Sequence, residues 1–478
     1  MFKTLQARLG RDKDYPERAA KIQSLQQVLR GTLYDVLKHP FHDERNGAGD
    51  YIPLRERRPC VRTNLCRIVV SDAVSLLFSE GHFPTVELRD AGQKAALSRI
   101  LKEARFNDIM IDAATRGAVG SVALHFQVLG GRVFFKVLET AMLTPCWKRG
   151  APDTLECVVE KYKVSGAALR ESGYAVADED LAATFWFQRI FSGTAEEWYV
   201  PWKAALGKDA APQPDGERTV AHGLGFVPIV WIRNLPGGDD IDGLPTFCEE
   251  AIDTQIEIDY QLSQGGRGLK YSSDPTLLIK EPAGGAGEPV VKGGANAIVV
   301  DEKGDAKLLE INGKANEAVL EYVKFLRETA LENMHGNRAS PEKMSAAQSG
   351  RAMEMMMQPL VWLADRLRIS YGERGIAEAA GMVIKASHHV ALRLESGDKV
   401  GPFDADQTVS LRWPRWFPPT AIDLMNLADT LTTLCGGGLM SRETAVKVLA
   451  AQYDIDDAAA EAALVEAETE GAKGIETE

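Results

Sequence analysis

The sequence predicts an α+β protein that is mainly helical. Apolar residues recur at helical spacing over long stretches near both ends of the chain. Short apolar runs separated by turn residues fill the stretch from Ser121 to Ile232, as expected of strands. In the centre, a helix, a Gly/Pro-rich β segment and a second helix follow one another. With 478 residues, the chain can form several domains around a sizeable core.

The N-terminal quarter is predicted to be helical. Apolar residues lie at helical spacing in Ala19–Leu37 and again in Val61–Phe78, where Gly81 and Pro84 then stop the pattern. A further helical pair is expected over Gln93–Gly117. Helices therefore precede the β-rich region.

The β-rich region begins with a predicted hairpin. Ser121–Val128 and Arg132–Leu138 are joined by Gly130-Gly131, a strong hairpin signal. Further strands are expected at Cys157–Val164, Thr184–Phe191, Glu196–Val200 and Val227–Ile232.

The central helix is unusually acidic. It is predicted from about Leu244 to Gln264, with Gly265-Gly266 ending it. From Gly237 to Leu262 the sequence contains no Lys or Arg and eight carboxylates: Asp239, Asp240, Asp242, Glu249, Glu250, Asp253, Glu257 and Asp259.

Three interpretations of this acidic helix compete. Glu249, Glu250, Asp253 and Glu257 lie at spacings that share a helix face, so they could hold a metal. A solvated face is the plainest alternative. The third is a wall that repels polyanions, and the order of the surrounding elements favours it.

Short strands at Leu277–Ile279, Val290–Val291 and Ala297–Val300 are predicted to follow, and then a second helix over Asn316–Met334. The polar stretch His335–Lys343 cannot continue that helix. From Ser349 a Met-rich helix is expected, kinked at Pro359, before two more strands and a small helical C-terminal part.

Composition excludes several classes of protein. A net charge of −13 argues against a surface that grips nucleic acid. The six cysteines lack CxxC spacing and are expected to be reduced thiols. No apolar run approaches the length of a membrane span, and Met1–Leu9 is too weakly apolar for a signal peptide. We therefore expect a protein that is made in a cytoplasm.

Catalytic motifs are missing from the sequence. The spacings GxxxxGK[ST], GxGxxG after a strand, and GxSxG do not occur. Ser340–Lys343 fits SxxK, but the companion SDN and KTG motifs are absent and Pro341 would disturb the helix that motif needs. His388-His389 lacks identifiable partners for a metal. We expect no catalytic residue, no metal and no cofactor.

Four stretches, in this order, resemble the portal proteins of tailed double-stranded-DNA bacteriophages, of the siphophage type. Arg58–Pro84 looks like the N-terminal helix and turn of that family. His222–Pro228, followed by the acidic helix, is similar to the passage from wing to stem. Ser345–Arg351 matches the tunnel loop that leads into the long wing helix, and Trp413–Ala445 resembles the entry to the crown.

The resemblance implies a portal fold with a wing, a stem, a clip and a crown, assembled as a ring. The expected boundaries are 1–236 for the N-terminal wing, 237–270 for the first stem helix, 271–314 for the clip, 315–335 for the second stem helix, 336–350 for the tunnel loop, 351–415 for the long kinked helix and C-terminal wing, and 416–478 for the crown and acidic tail.

The implied function is a channel at one capsid vertex, through which double-stranded DNA is packaged and ejected. A homo-oligomeric ring, commonly of about twelve copies, would dock the large terminase subunit and later a head–tail adaptor, and would meet major capsid and scaffold proteins. It would be assembled in the host cytoplasm and end in the virion, with no membrane contact. Glu249, Glu250, Asp253 and Glu257 of the acidic helix would form the channel wall. Arg338, Lys343 and Arg351 would touch DNA phosphates lightly.

Two alternatives remain at this point. One is a structural adaptor of the virion other than the portal. The other is a metal-dependent hydrolase that uses the cluster of Glu249, Glu250, Asp253 and Glu257.

Overall fold

The chain folds into two compact units, Met1–Pro414 and Arg415–Glu478. A computed structural model describes residues 1–208, 210–273, 276–282, 300–309, 314–336, 350–417, 421–450, 455 and 458–465. Helices account for 48% of the structure and strands for 21%, which confirms the predicted mixture of the two.

Among the described residues, all α-helices of the first unit but one short helix lie before residue 118 or after residue 248. They are α1 (Phe2–Arg8), α2 (Glu17–Arg30), α3 (Leu65–Phe78), α4 (Ala91–Glu103), α5 (Phe106–Gly117), α6 (Gly166–Glu171), α7 (Glu249–Ser273), α8 (Lys314–Asn333), α9 (Gly350–Leu367) and α10 (Glu378–His389).

The strands are concentrated between α5 and α7. They are β1 (His39–Pro40), β2 (Arg57–Arg58), β3 (Thr85–Glu87), β4 (Ser121–Leu129), β5 (Arg132–Glu139), β6 (Leu143–Lys148), β7 (Ala151–Ser165), β8 (Thr184–Phe191), β9 (Ala195–Trp198), β10 (Trp202–Lys203), β11 (Val220–Ala221), β12 (Ile229–Arg233), β13 (Thr276–Pro282), β14 (Val300–Leu309), β15 (Leu392–Arg393), β16 (Lys399–Val400) and β17 (Ser410–Arg412).

The predicted hairpin at Gly130-Gly131 is confirmed. Strands β4 and β5 pair in register on either side of it, and both glycines have positive φ, at 60° and 85°. This conformation is open to glycine at no steric cost, which is why the pair makes a tight turn. Strand β12 pairs with the other edge of β4, and α5 packs across the sheet. Phe106 and Phe126 contact Phe135 there, with ring centroids 4.8 and 5.5 Å away.

A second sheet has the strand order β11-β9-β8-β7-β6, with β10 also pairing with β8. Its inner face buries Val158 and Phe191 against β4 and β12. At its centre Arg189, which is only 13% exposed, binds Glu160 and Glu196 at 2.6 and 2.7 Å. Two carboxylates on neighbouring strands therefore neutralise one buried guanidinium.

One continuous helical element runs through α9 and α10. Pro359 lies inside α9, and between Arg368 and Ala377 the element widens into a π-helix that the sequence pattern did not predict. The π-helical segment packs against β12. It places Tyr371, which is fully buried, so that its hydroxyl donates to Asn234 Oδ1 at 3.0 Å. A π-helical turn contains more residues than an α-helical turn and so changes the direction of the side chains. In this segment the change directs Tyr371 into the core.

The acidic helix begins later and ends later than predicted. Asp239 accepts the backbone N–H groups of Ile241 and Asp242 and so forms a turn ahead of α7, which starts only at Glu249. The helix then continues past Gly265-Gly266 to Ser273. Helix α8 packs against α7 here: a Cβ at Gly265 would lie 3.3 Å from Val319 Cγ1. Tertiary packing thus outweighs the low helix propensity of the two glycines.

The second unit contains α11 (Ala421–Gly436) and α12 (Arg442–Ala450), which contact each other. Ser441 accepts the backbone N–H of Thr444 at 3.2 Å, as an N-terminal cap does, and Lys447 pairs with Glu443 one turn away. The helical character predicted for this part is confirmed in the described residues. The acidic tail beyond residue 465 lies outside them.

Candidate functional site

Helices α7 and α8 form an antiparallel pair joined through the β13–β14 hairpin. Cys248, just before α7, lies near Asn333 at the end of α8, and Gly265 lies near Val319 closer to its start. Strands β13 and β14 are antiparallel, with Thr276 opposite Leu309 and Lys280 opposite Asp305. The predicted order of helix, β module and helix is therefore confirmed, although the predicted strand at 290–291 lies outside the described residues.

The inner face of α7 is fixed to residues 57–66, which lead into the first turn of α3. Gln255 accepts a backbone N–H of this segment at 3.0 Å, and Ser263 accepts two, at 3.0 and 3.1 Å. Tyr260 donates to a backbone carbonyl at 2.8 Å. Because these bonds go from side chains to backbone, they fix the rotation of α7 about its axis.

Asp259 is the buried centre of this contact. Its Oδ1 accepts the backbone N–H and the hydroxyl of Thr63, each at 2.8 Å, and its Oδ2 accepts the hydroxyl of Tyr34 at 2.8 Å. Burial raises the pKa of Asp259, while the hydrogen bonds from Thr63 and Tyr34 act in the opposite direction. This carboxylate, predicted as part of an acidic face, therefore points into the protein.

The four predicted wall residues lie on the outer side of α7, and two of them contact the N-terminal segment. Glu249 lies 3.3 Å from Lys3 Nζ. Asp253 accepts the backbone N–H of Phe2 at 2.6 Å. Glu250 is exposed, and a hydrogen bond from its own backbone lowers its pKa. Glu257 accepts a hydrogen bond from the side chain one turn further on, at 2.7 Å.

One carboxylate ahead of α7, that of Asp242, is compensated by a residue far away in sequence. Arg18, on α2, pairs with Asp242 in a bidentate contact, and both side chains are at most 16% exposed. Arg18 also donates to the backbone carbonyls of Thr140 and Leu143. Local sequence could not have revealed this pairing, because the partners are 224 residues apart. Asp239 and Asp240 stay exposed, so the acidic surface of the site extends from this turn onto α7.

The outward face of α8 carries exposed apolar side chains. Leu320, Tyr322 and Phe325 are 52%, 45% and 64% exposed. Tyr322 and Phe325 are three residues apart and share one side of α8, whereas Leu320 lies on another side. Large exposed apolar side chains that share a face are typical of surfaces that contact another protein.

The side chains predicted to touch DNA are not among those that the structure describes. Arg338 and Lys343 lie outside the described residues. Arg351 falls in the first turn of α9, but its side chain is not among those described. The tunnel loop therefore remains a prediction.

The hydrolase alternative finds no support in the geometry of the site. Across the described residues, which include Glu249, Glu250, Asp253 and Glu257, no group of three or more His, Cys, Asp or Glu side chains is arranged to hold a metal.

The helices were also compared with the length and hydropathy that a membrane span requires. Within the described residues, none of them meets both requirements.

Residues 12–474 match the family described as phage portal protein, SPP1 Gp6-like. This match spans nearly the whole sequence. The chain belongs to the phage portal protein family. The resemblance inferred from four stretches of sequence is thereby confirmed. A portal protein is a structural component of the virion.

Solved structures resemble this portal protein only distantly. The neck of an empty GTA particle, computed with C6 symmetry, is 10% identical over 80% of this chain and 88% of that chain, with a TM-score of 0.42. The virion of a native gene transfer agent particle is also 10% identical, over 80% and 87% of the two chains, with a TM-score of 0.36. No curated protein matches the chain significantly. The family assignment rests on the sequence match alone.

Proposed function

We propose that this portal protein forms a ring-shaped channel at one capsid vertex, through which double-stranded DNA enters during packaging and leaves during ejection. In this proposal the ring consists of about twelve copies. It docks the large terminase subunit first and a head–tail adaptor later, and it contacts capsid and scaffold proteins. It performs no catalysis of its own. It assembles in the host cytoplasm and remains in the virion.

The antiparallel pair of α7 and α8 is the observation that carries the proposal. Helix α7 is fixed along one face by the hydrogen bonds to residues 57–66. Helix α8 exposes Leu320, Tyr322 and Phe325. A second copy of the chain that covers this apolar face would place hairpins side by side around an axis, as a stem requires. In a closed ring of many copies the contacts are head-to-tail, so this face of one copy would meet a different surface of the next copy.

Electrostatics supports a channel that does not hold its DNA. Duplex DNA carries one charge about every 1.7 Å of its axis, so a wall of carboxylates repels it weakly and evenly. Glu250 is the best candidate for a wall residue, because it is exposed. Glu249 and Asp253 contribute less negative charge, since each contacts a group on that segment.

The tunnel loop is proposed to supply the few positive contacts. Arg338, Lys343 and Arg351 would meet phosphates, which position DNA without reading its sequence. Weak contacts of this kind would add up over all copies of a ring. The clip, residues 271–314 with β13 and β14 at its base, is proposed as the surface that terminase and adaptor bind.

Glu250→Lys tests the wall. It replaces one negative charge per copy with one positive charge at an exposed position, so we expect normal folding and assembly but slower DNA packaging. The defect should shrink as salt is raised. Glu250→Gln, which removes one charge, should give a smaller defect, and Lys324→Glu on α8 is a charge-changing control. Packaged DNA per particle is the measurement. Equal packaging by Glu250→Lys and the wild type would refute the wall.

Replacing Arg338 and Lys343 together with Glu tests the loop. We expect rings to assemble normally while packaging or retention of DNA falls, because the changed charges would repel phosphates. The matched control replaces the same two residues with Gln, which removes charge without reversing it. Unchanged DNA content in the Glu variant would show that these residues do not face the DNA.

A further inference from the structure

Two cysteines face each other across neighbouring strands of the second sheet. In the antiparallel pair β6–β7, Cys146 is the direct partner of Cys157, flanked by Pro145 opposite Val158. Residues opposite each other in such a pair have Cα atoms about 4.5–5.5 Å apart. A disulfide spans Cα separations of about 4.4–6.8 Å. The backbone therefore already holds the two residues at the distance a disulfide needs.

The side chains are also in contact and within reach of solvent. The thiols of Cys146 and Cys157 are hydrogen-bonded to each other, and both residues are half-buried. The register changes directly beside the pair, where Trp147 faces Leu155 and Glu156 is left as an extra residue on β7. Such a bulge leaves the local strand geometry adjustable. A small molecule can therefore reach the sulfurs, and the strands can absorb the small movement that bond formation requires.

We infer that Cys146 and Cys157 are a site of reversible disulfide formation that links the edge strand β6 to β7. The co-reactant is a small disulfide such as oxidised glutathione. One protein thiolate attacks it, forms a mixed disulfide and releases one small thiol. The second cysteine then loses its proton, attacks the protein sulfur and releases the other small thiol. Two protein S–H bonds are exchanged for one protein S–S bond.

The chemistry of Cys157 makes this reaction slow at neutral pH. Burial, and then the hydrogen bond with Cys146, raise the pKa of the Cys157 thiol to about 11. Only the thiolate is a nucleophile, so the pair stays largely reduced during brief exposure to an oxidant and reacts faster as the pH rises. A protein made in a reducing compartment and then carried outside it would gain the bond late. That timing rests on the proposed function, whereas the pairing itself does not.

The test uses the full-length purified protein. It is incubated with oxidised glutathione at pH 8, quenched with acid, unfolded and alkylated. The chain has six cysteines, so one intramolecular disulfide should lower the alkylated thiols from six to four. Trypsin cleaves after Lys148 and Arg149, which lie between the two cysteines. The two resulting peptides should remain joined until a reductant is added.

Other outcomes would overturn the inference. The inference is overturned if six thiols are still alkylated after prolonged oxidation. It is also overturned if the disulfide links Cys66 to Cys248, or links two chains through Cys60. Cys146→Ser and Cys157→Ser should each retain all five remaining thiols, while the control Cys60→Ser should still lose two. The peptide map of the wild type needs no variant, so misfolding of a Ser variant leaves the inference testable. If the disulfide forms but the protein builds no ring, only the proposed function fails.

Discussion

Asp259→Ala should destabilise the contact between α7 and residues 57–66. The carboxylate accepts three hydrogen bonds at 2.8 Å, two from Thr63 and one from Tyr34, in a fully buried position. Alanine leaves three donors without their acceptor: the buried hydroxyl of Tyr34 and the half-buried N–H and hydroxyl of Thr63. At about 1 kcal/mol for each, we expect the free energy of unfolding to fall by about 3 kcal/mol.

Asp259→Asn is the matched variant. Its amide oxygen can still accept from Thr63, and the Tyr34 hydroxyl can turn to accept from the amide nitrogen, so we expect a loss of about 1 kcal/mol or less. The sign of the pH dependence also follows. Because burial raises the pKa of Asp259 in the folded protein, ionisation costs stability. The wild type should therefore lose stability relative to Asp259→Asn as the pH rises from about 4 through that raised pKa.

Two measurements check this. Urea denaturation at one protein concentration gives the free energy of unfolding, and amide hydrogen exchange of residues 57–66 reports the contact itself. Glu250→Ala, at an exposed position of the same helix, is the control and should change stability by less than about 0.5 kcal/mol. The reasoning fails if Asp259→Ala resembles this control, or if exchange of residues 57–66 is unchanged.

Three further predictions concern other parts of the fold. Burial and Arg189 lower the pKa of His125 to about 3. The free energy of unfolding should therefore fall by about 1.4 kcal/mol per pH unit as the pH drops below 6.5. In melting experiments at several pH values, the melting temperature of His125→Gln should fall less steeply with pH. Gly266→Ala, in open space on α7, should raise the free energy of unfolding by about 1 kcal/mol in denaturation curves, whereas Gly265→Ala should gain less because it crowds α8; equal gains would refute the close packing. Phe325→Ser should reduce ring assembly in sedimentation experiments without lowering monomer stability, and intact assembly would exclude this face as a contact.

Local patterns predicted the elements whose signals are local. The helices α3, α5 and α8 follow from apolar spacing, and the β4–β5 hairpin follows from Gly130-Gly131. The end of α7 was predicted wrongly, because its continuation past Gly265 depends on the packing of α8. The π-helical segment was not predicted for a similar reason, because it depends on the burial of Tyr371 against distant parts of the chain.

The charged residues of the site could likewise be predicted only in part from local sequence. Sequence identified the acidic residues of α7 but not which way they face, because the inward direction of Asp259 depends on Thr63 and Tyr34. The pairing of Asp242 with Arg18 is equally invisible to local reasoning. The cysteines looked scattered in sequence because β6 was not predicted, so its register with β7 could not be known.

Electron microscopy of the purified protein tests the central claim most directly. The account predicts closed rings with an axial hole wide enough for a DNA duplex, in which the α7–α8 pairs surround the axis. Protein that remains monomeric at every salt concentration, or that forms closed particles without an axial hole, would contradict it.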